Sequence, residues 1–304
     1  MNPVLVVVGP TGVGKSHLAL ELAQELGGEV INADSRQVYR YMDTGTGKPS
    51  PRDRALIPHH LLDIVDPDQE FSLALFQPLA YQAIEEVFQR IKLPILVGGT
   101  GQYVWGVVEG WQVPRVPPDI AFRQEMEEKA RREGIGPLYD ELRATDPEVA
   151  SKIDPRNVRR AIRALELARA GVKGREKRPP PYKFLIIGLT APRGELYARI
   201  DRRVDDMISR GWVEEVRGLL DRGYGPSLPA LSSVGYREIT GYLRGQLGLP
   251  QAVQRVKYAT HRFARRQSAW FRLDDPRINW LEATGGEGER AFALVKEALE
   301  VRQA

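Results

Sequence analysis

The run Gly9-Pro-Thr-Gly-Val-Gly-Lys-Ser16 places three glycines, a lysine and a hydroxyl side chain within eight positions, in the spacing G-x-x-x-x-G-K-[ST]. Gly9, Gly12 and Gly14 let successive backbone N–H groups turn inward and form an anion nest. If a helix opens behind them, its N-terminus adds the positive end of a dipole. Lys15 then offers a point charge to a terminal phosphate, and the Ser16 hydroxyl can ligate Mg²⁺. This is chemistry for a diphosphate or triphosphate, whatever molecule carries it.

A second candidate is Asp34, in Asn32-Ala33-Asp34-Ser35. If residues 29–33 form a strand beside the one that feeds the phosphate loop, Asp34 lies beyond a strand's carboxyl end, where ligands sit in open α/β sheets. There it could serve as a general base on an acceptor, or it could simply cap the next helix. A nucleotide-driven motor would also need a strand ending in a metal-binding acid. The candidate strand here, Leu93–Val97, runs into Gly98-Gly99-Thr100-Gly101 with no acid. The residues therefore describe a group-transfer enzyme, a description that many small-molecule kinases also meet.

The elements that must position these groups are legible. Residues 4–8 (Val-Leu-Val-Val-Val) read as a strand buried on both faces. Leu18, Leu22 and Leu26 then mark a helix over 16–26, residues 78–91 an amphipathic helix with Leu79, Ile84, Val87, Phe88 and Ile91 apolar, and residues 184–189 a further strand. The alternation predicts an α/β core with a parallel sheet, like that of P-loop proteins. After the proline-rich Val113–Pro118 the chain turns charged and helical in period, until Pro179-Pro180-Pro181. The expected organisation is a catalytic core from residues 1–118 and 179–304, helical in its C-terminal part, with a small helical domain inserted over 119–178.

Charge adds an asymmetry. Residues 1–120 carry 9 basic and 14 acidic side chains, whereas residues 151–185 carry 11 basic and 3 acidic, and residues 255–277 carry 7 and 2. Such clusters suit a polyanion, or a plain solvated surface. The absence of cysteine excludes disulfides, thiol catalysis and Cys-ligated zinc. The chain opens on an apolar strand with no basic leader and has no apolar run long enough to span a bilayer, so a cytoplasmic protein with no membrane partner is expected. His59 and His60 are expected to pack a loop and not to hold a metal, the five tryptophans to be mostly core, and Tyr39 and Tyr41 to lie near the site.

Taken together, GPTGVGKS (9–16), NADSRQVYRYMDTGTGKP (32–49), PHHLLDI (58–64), LVGGTGQY (96–103), DPRNVRRAIRALEL (154–167), SVGYREI (233–239) and RRQSAWFR (265–272) make the chain resemble the bacterial tRNA dimethylallyltransferase (tRNA isopentenyltransferase) family over nearly its whole length. The resemblance implies transfer of a dimethylallyl group from dimethylallyl diphosphate to the exocyclic 6-amino group of the adenosine 3′-adjacent to the anticodon, with Mg²⁺ as cofactor and release of pyrophosphate. It implies that Gly9, Thr11, Gly12, Gly14, Lys15, Ser16 and Arg237 hold the diphosphate. It makes Asp34 the acceptor of the amine proton and places Thr100 near the target nucleotide. It assigns Asp34, Ser35, Arg36, Gln37, Thr100, Arg123, Arg159, Arg160 and Arg163 to the tRNA, through its anticodon stem-loop. A monomer is expected. Departures from the family pattern are Gly12, Val13 and Ser16 in the phosphate loop, Gly101-Gln102 after Gly-Gly-Thr, and Ala269 before Trp270. Prenyl transfer to a free adenine nucleotide, a kinase reaction and a non-catalytic RNA-binding module are the competing readings.

Overall fold

The computed structural model describes residues 3–114, 116–172 and 177–300, so Arg115 of the first proline-rich junction lies outside the described residues. The chain divides into two compact units, residues 1–109 with 180–304, and residues 110–179. In the larger unit the order is β1 (Pro3–Val8), α1 (Lys15–Leu26), β2 (Gly28–Asn32), α2 (Pro51–Leu56), β3 (His59–His60), α3 (Leu73–Gln89), β4 (Leu93–Val97) and α4 (Gly101–Val108). The smaller unit holds α5 (Ile120–Glu133), α6 (Gly136–Thr145), α7 (Pro147–Lys152) and α8 (Val158–Arg169). The larger unit resumes with β5 (Lys183–Thr190), α9 (Arg193–Ser209), α10 (Trp212–Asp221), α11 (Tyr236–Leu243), α12 (Leu249–Ser268), β6 (Ile278–Glu282) and α13 (Glu287–Glu300). No helix among the described residues is long and apolar enough to cross a membrane.

The six strands form one parallel sheet in the order β3-β2-β4-β1-β5-β6. Val4 to Val8 are almost wholly buried because β1 sits between β4 and β5 and is covered on both faces. The phosphate loop leaves the carboxyl end of β1, and the carboxyl ends of β2 and β4 carry Asp34 and Gly98–Thr100 to the same edge of the sheet. With β4 lying between β1 and β2, the first crossover skips a strand and leaves the crevice in which α/β sheets bind ligands.

Three elements depart from expectation. Helix α3 starts at Leu73, five residues before the sequence reading, and runs through Pro78; burial of Leu73 and Phe76 outweighs the hydrogen bond that the proline removes. Its buried face is Leu73, Phe76, Ala80, Ala83, Ile84 and Val87, whereas Leu79 is partly exposed and Ile91 lies past the helix end, fully in solvent. The histidine pair is the short edge strand β3, with His60 Nε2 2.7 Å from the Glu29 carboxylate. The C-terminal part is not purely helical, since β6 pairs with β5; five residues at a sheet edge, only one of them buried, carry little strand signal. Of the tryptophans, Trp105 and Trp212 are core and Trp111, Trp270 and Trp280 are half-buried.

The smaller unit has its own core of Phe122, Met126, Leu138, Leu142, Ile162 and Leu165. Asp119, Asp146 and Asn157 cap α5, α7 and α8 through their side chains. Glu166, 2% exposed, ties the unit together: it accepts the Asp119 N–H at 2.9 Å, the Arg123 guanidinium at 2.8 and 2.9 Å and Arg163 Nη1 at 2.9 Å. Burial pushes its carboxyl up, but the hydrogen bonds from Arg123 and Arg163 outweigh it and hold the pKa below the ordinary 4.5. A carboxyl whose folded pKa is depressed stabilises the fold above its unfolded value and loses that contribution as the pH falls through the folded one. Glu166→Ala is expected to destabilise this unit by roughly 3 kcal/mol, the low end for a buried pair, because Arg123 and Arg163 stay 35% and 32% exposed. Hydrogen exchange over residues 116–169 measures it. The wild-type unit should lose stability below about pH 4.5, the unfolded value, and the variant should lose less.

Candidate active site

The first turn of α1 is built for an anion. Its N-cap is Gly14 at φ 110°, with no side-chain cap and no acidic residue in the first turn, so among the described residues no cap side chain takes up the orphan N–H groups. Nothing lies within 4 Å of where a Cβ at Gly14 would stand, so it is the left-handed backbone and not space that demands glycine. Lys15 Nζ donates to the Pro10 carbonyl at 2.8 Å. Burial pushes the Lys15 ammonium down to about 8; Asp34 opposes this and Arg203 adds to it. Ser16 is exposed at the mouth of the loop.

Asp34 stands across from that loop. Its backbone N–H is held by Asn32 Oδ1 at 3.0 Å, and one carboxylate oxygen accepts the Arg36 N–H at 2.8 Å. It therefore makes a local turn, and it also faces a cavity lined by Thr11, Lys15, Ser16, Gln37 and Arg203. A second cavity shares Thr11, Asp34 and Arg203, adds Ser35 and Arg36, and has an apolar wall that includes Ile200, Val204, Met207 and Phe263. Thr100 Oγ1 accepts the Ser35 N–H at 3.0 Å and so braces the turn beside Asp34. Arg36 Nη1 donates to the Pro229 carbonyl, and Gln37 Nε2 to the carbonyls of Thr46 and Gly47. Tyr39 is buried core, and Tyr41 is exposed and stacked on Tyr224.

The structure thus gathers the phosphate loop, Asp34, Ser35, Arg36, Gln37 and Thr100. It does not bring Arg237 into either lining: that side chain is 66% exposed and pairs with Glu238. The arginine that lines both cavities is Arg203 of α9, which sequence reading missed. It is half-buried and makes no ion pair or hydrogen bond among the described residues, and burial lowers its pKa. Gly47 lies so close that a Cβ there would be 2.0 Å from Nη2. The available signal was a charge on an apolar stripe, since Leu196, Ile200, Val204 and Met207 are the buried positions of the same helix.

Residues 43–48 are fixed by further groups that had no sequence signal. Glu215 of α10 accepts the N–H groups of Asp43, Thr44 and Gly45 at 2.8, 2.6 and 3.1 Å and the Tyr236 hydroxyl at 2.6 Å. The Lys48 ammonium, wholly buried, binds the Tyr39 carbonyl, Asp43 and Asp63. In the smaller unit, Arg123 and Arg163 are engaged by Glu166, while Arg159 and Arg160 lie exposed on α8.

Among the described residues no group of three or more His, Asp or Glu could hold a metal. The oxygen donors at hand, the Ser16 hydroxyl and the Asp34 carboxylate, suit a Mg²⁺ that keeps waters and phosphate oxygens in its sphere. What the crevice can do is accept a diphosphate against half-buried cations, hold an apolar group beside it and present a carboxylate to an acceptor.

Comparison with known proteins agrees with this chemistry. The IPP transferase family model matches residues 37–274, and an isopentenyl transferase model matches residues 2–56. A tRNA dimethylallyltransferase of Roseiflexus castenholzii is 52% identical over 99% of both chains, and one of Dehalococcoides mccartyi is 48% identical over 98% of this chain and 93% of its own. The crystal structure of the tRNA isopentenylpyrophosphate transferase of Bacillus halodurans superposes with a TM-score of 0.75 at 38% identity, covering 100% of this chain and 98% of that one. A eukaryotic dimethylallyltransferase acting on tRNA gives a TM-score of 0.83 at 28% identity, covering 99% of this chain and 80% of its own. With a family model spanning most of its length and a relative more than half identical from end to end, the chain belongs to the IPP transferase family of prenyltransferases.

Proposed function

We propose that the chain transfers a dimethylallyl group from dimethylallyl diphosphate to the 6-amino group of the adenosine 3′-adjacent to the anticodon of tRNA. The observation that carries this reading is a pair of cavities that share Thr11, Asp34 and Arg203, one lined by the phosphate loop and Lys15 and the other by an apolar wall. An allylic diphosphate needs both, because its carbon–oxygen bond breaks toward a delocalised cation and a pyrophosphate leaving group. The loop N–H groups, Lys15 and Arg203 stabilise the charge that develops on the departing diphosphate. Ser16 would help hold Mg²⁺, which would supply additional charge neutralisation for the leaving diphosphate. The adenine nitrogen forms the new bond to the allylic carbon, and its proton passes to the Asp34 carboxylate.

An adenine amine is a weak nucleophile, so alignment counts as much as basicity. The Thr100–Ser35 contact holds the turn that aligns Asp34. To reach a crevice at the sheet edge the target base must leave its stack, which a single-stranded loop permits at least cost. Ser35, Arg36 and Gln37 meet the RNA at the mouth, and the helical unit of residues 110–179 offers Arg159 and Arg160 to backbone phosphates. Arg123 and Arg163 serve the fold of that unit. The protein acts as a cytoplasmic monomer.

Asp34→Ala is expected to lower prenyl transfer by about 10²–10⁴-fold, the usual contribution of a general base, while tRNA affinity in a filter-binding assay stays near wild type. Unchanged turnover would remove Asp34 from the chemistry. Arg203→Ala should cost about 10²-fold or more in kcat, as for loss of one charge-stabilising donor, with Arg237→Ala close to wild type; the reverse ranking would restore Arg237 to the diphosphate site. Replacing Arg159 and Arg160 by alanine should weaken tRNA binding and lower the slope of log K against log salt by up to about 0.7–0.9 per lost phosphate contact. A slope that does not move would deny them a phosphate role.

A further inference from the structure

A buried amide in α12 joins the two sides of the crevice. Gln267 is 3% exposed and lies on the same apolar stripe as Ala252, Val256, Ala259 and Ala264. Its Oε1 accepts the Thr11 N–H at 2.7 Å, and its Nε2 donates to the Gly99 carbonyl at 2.9 Å. Thr11 belongs to the phosphate loop. Gly99 precedes Thr100, whose hydroxyl holds the Ser35 N–H beside Asp34. The contact is too close for any side chain at residue 99, where a Cβ would stand 2.1 Å from Nε2. The end of the helix packs the other flank of Thr100: a Cβ at Gly101 would stand 2.2 Å from the Trp270 ring, and the Trp270 carbonyl accepts the Trp105 indole N–H at 2.9 Å. An unbroken set of contacts therefore runs Thr11–Gln267–Gly99–Thr100–Ser35–Asp34.

Only an amide fits both ends. It carries an acceptor and a donor on one rigid plane. A carboxylate would still accept from Thr11 but would set an oxygen against the Gly99 carbonyl, and an apolar side chain would leave the buried Gly99 carbonyl and the part-buried Thr11 N–H without this partner. We infer that Gln267 is a positioning residue that sets the separation between the diphosphate loop and the Asp34 turn. It touches neither substrate, so it should act on alignment and not on affinity. This rests on the prenyl-transfer reading for its kinetic consequence, but the mechanical link between the two loops does not.

The test uses the full chain carrying Gln267→Ala or Gln267→Glu, with Gln251→Ala on the exposed start of the same helix as a control. With melting temperatures showing both variants folded at the assay temperature, kcat for tRNA prenylation is expected to fall roughly 10²-fold, as for a misplacement of about 1 Å, with KM for both substrates little changed. Gln267→Glu should recover part of its kcat relative to wild type as the pH falls toward about 6, because a buried Glu has a raised pKa and once protonated again donates to the Gly99 carbonyl. Independently of the reaction, inorganic pyrophosphate should slow hydrogen exchange at residues 98–101 in the wild type and not in Gln267→Ala. Folded variants with wild-type kcat, or losses that appear in KM alone, would overturn the assignment. So would pyrophosphate protection of residues 98–101 that survives in Gln267→Ala. If the wild type prenylates no tRNA, the function proposed above fails, and the exchange experiment alone still decides whether Gln267 couples the loops.

Discussion

Lys15 and Arg203 share one crevice with a single carboxylate, Asp34, between them, and the rest of the structure holds that unbalanced set in place. Burial lowers the pKa of both cations; Arg203 lowers Lys15 further, Arg210 lowers Arg203 further, and Asp34 opposes the shift in each. Such an arrangement opposes folding until an anion arrives. It persists because the groups sit on elements fixed elsewhere: Lys15 opens a helix anchored on the central strand, and Arg203 rides a helix whose other stripe positions are core. Strain of this kind at a site, compensated by packing around it, is the usual bargain between stability and activity.

The division of labour around the crevice follows from the sheet. Three strand ends deliver the phosphate loop, the Asp34 turn and the Gly98–Thr100 loop to one edge, and the α9–α12 layer closes over them. Val13, Val38 and Met42 root the loops in the core, and polar groups set the shape of the rest: Glu215 under residues 43–45, Lys48 and Asp63 behind them, and Gln267 between Thr11 and Gly99. Loops held by side-chain hydrogen bonds can be placed to fractions of an ångström, which is what in-line attack by a weak nucleophile demands.

Much of this was legible in the sequence because it is local. The phosphate loop is eight consecutive residues, β1 is a β-branched run, and the Asp34 turn follows directly from its strand. The helical character of residues 120–169 was legible from period and charge. What could not be read was any role that depends on a distant partner. Arg203, Gln267 and Glu166 each stand where the helical period calls for an apolar residue, and the sequence shows that anomaly but not what the side chain meets. Arg237, assigned by resemblance, lies in the matching segment but pairs with Glu238 and lines neither cavity. Arg123 and Arg163 look identical to Arg159 and Arg160 in a charge count; only the fold distinguishes those engaged by a buried glutamate from those left in solvent. Strand β6 escaped because an edge strand of five residues resembles a loop.

The central claim is that one crevice joins a prenyl diphosphate to an adenine of tRNA. The most direct measurement is to incubate the protein with unmodified tRNA, dimethylallyl diphosphate and Mg²⁺, digest the RNA, and map modified nucleosides by mass spectrometry. The expected result is a dimethylallyl adenosine in the fragment containing the anticodon loop, immediately 3′ of the anticodon, with one pyrophosphate released for each. Prenylation of free AMP in place of tRNA, or consumption of ATP with the prenyl donor untouched, would contradict it.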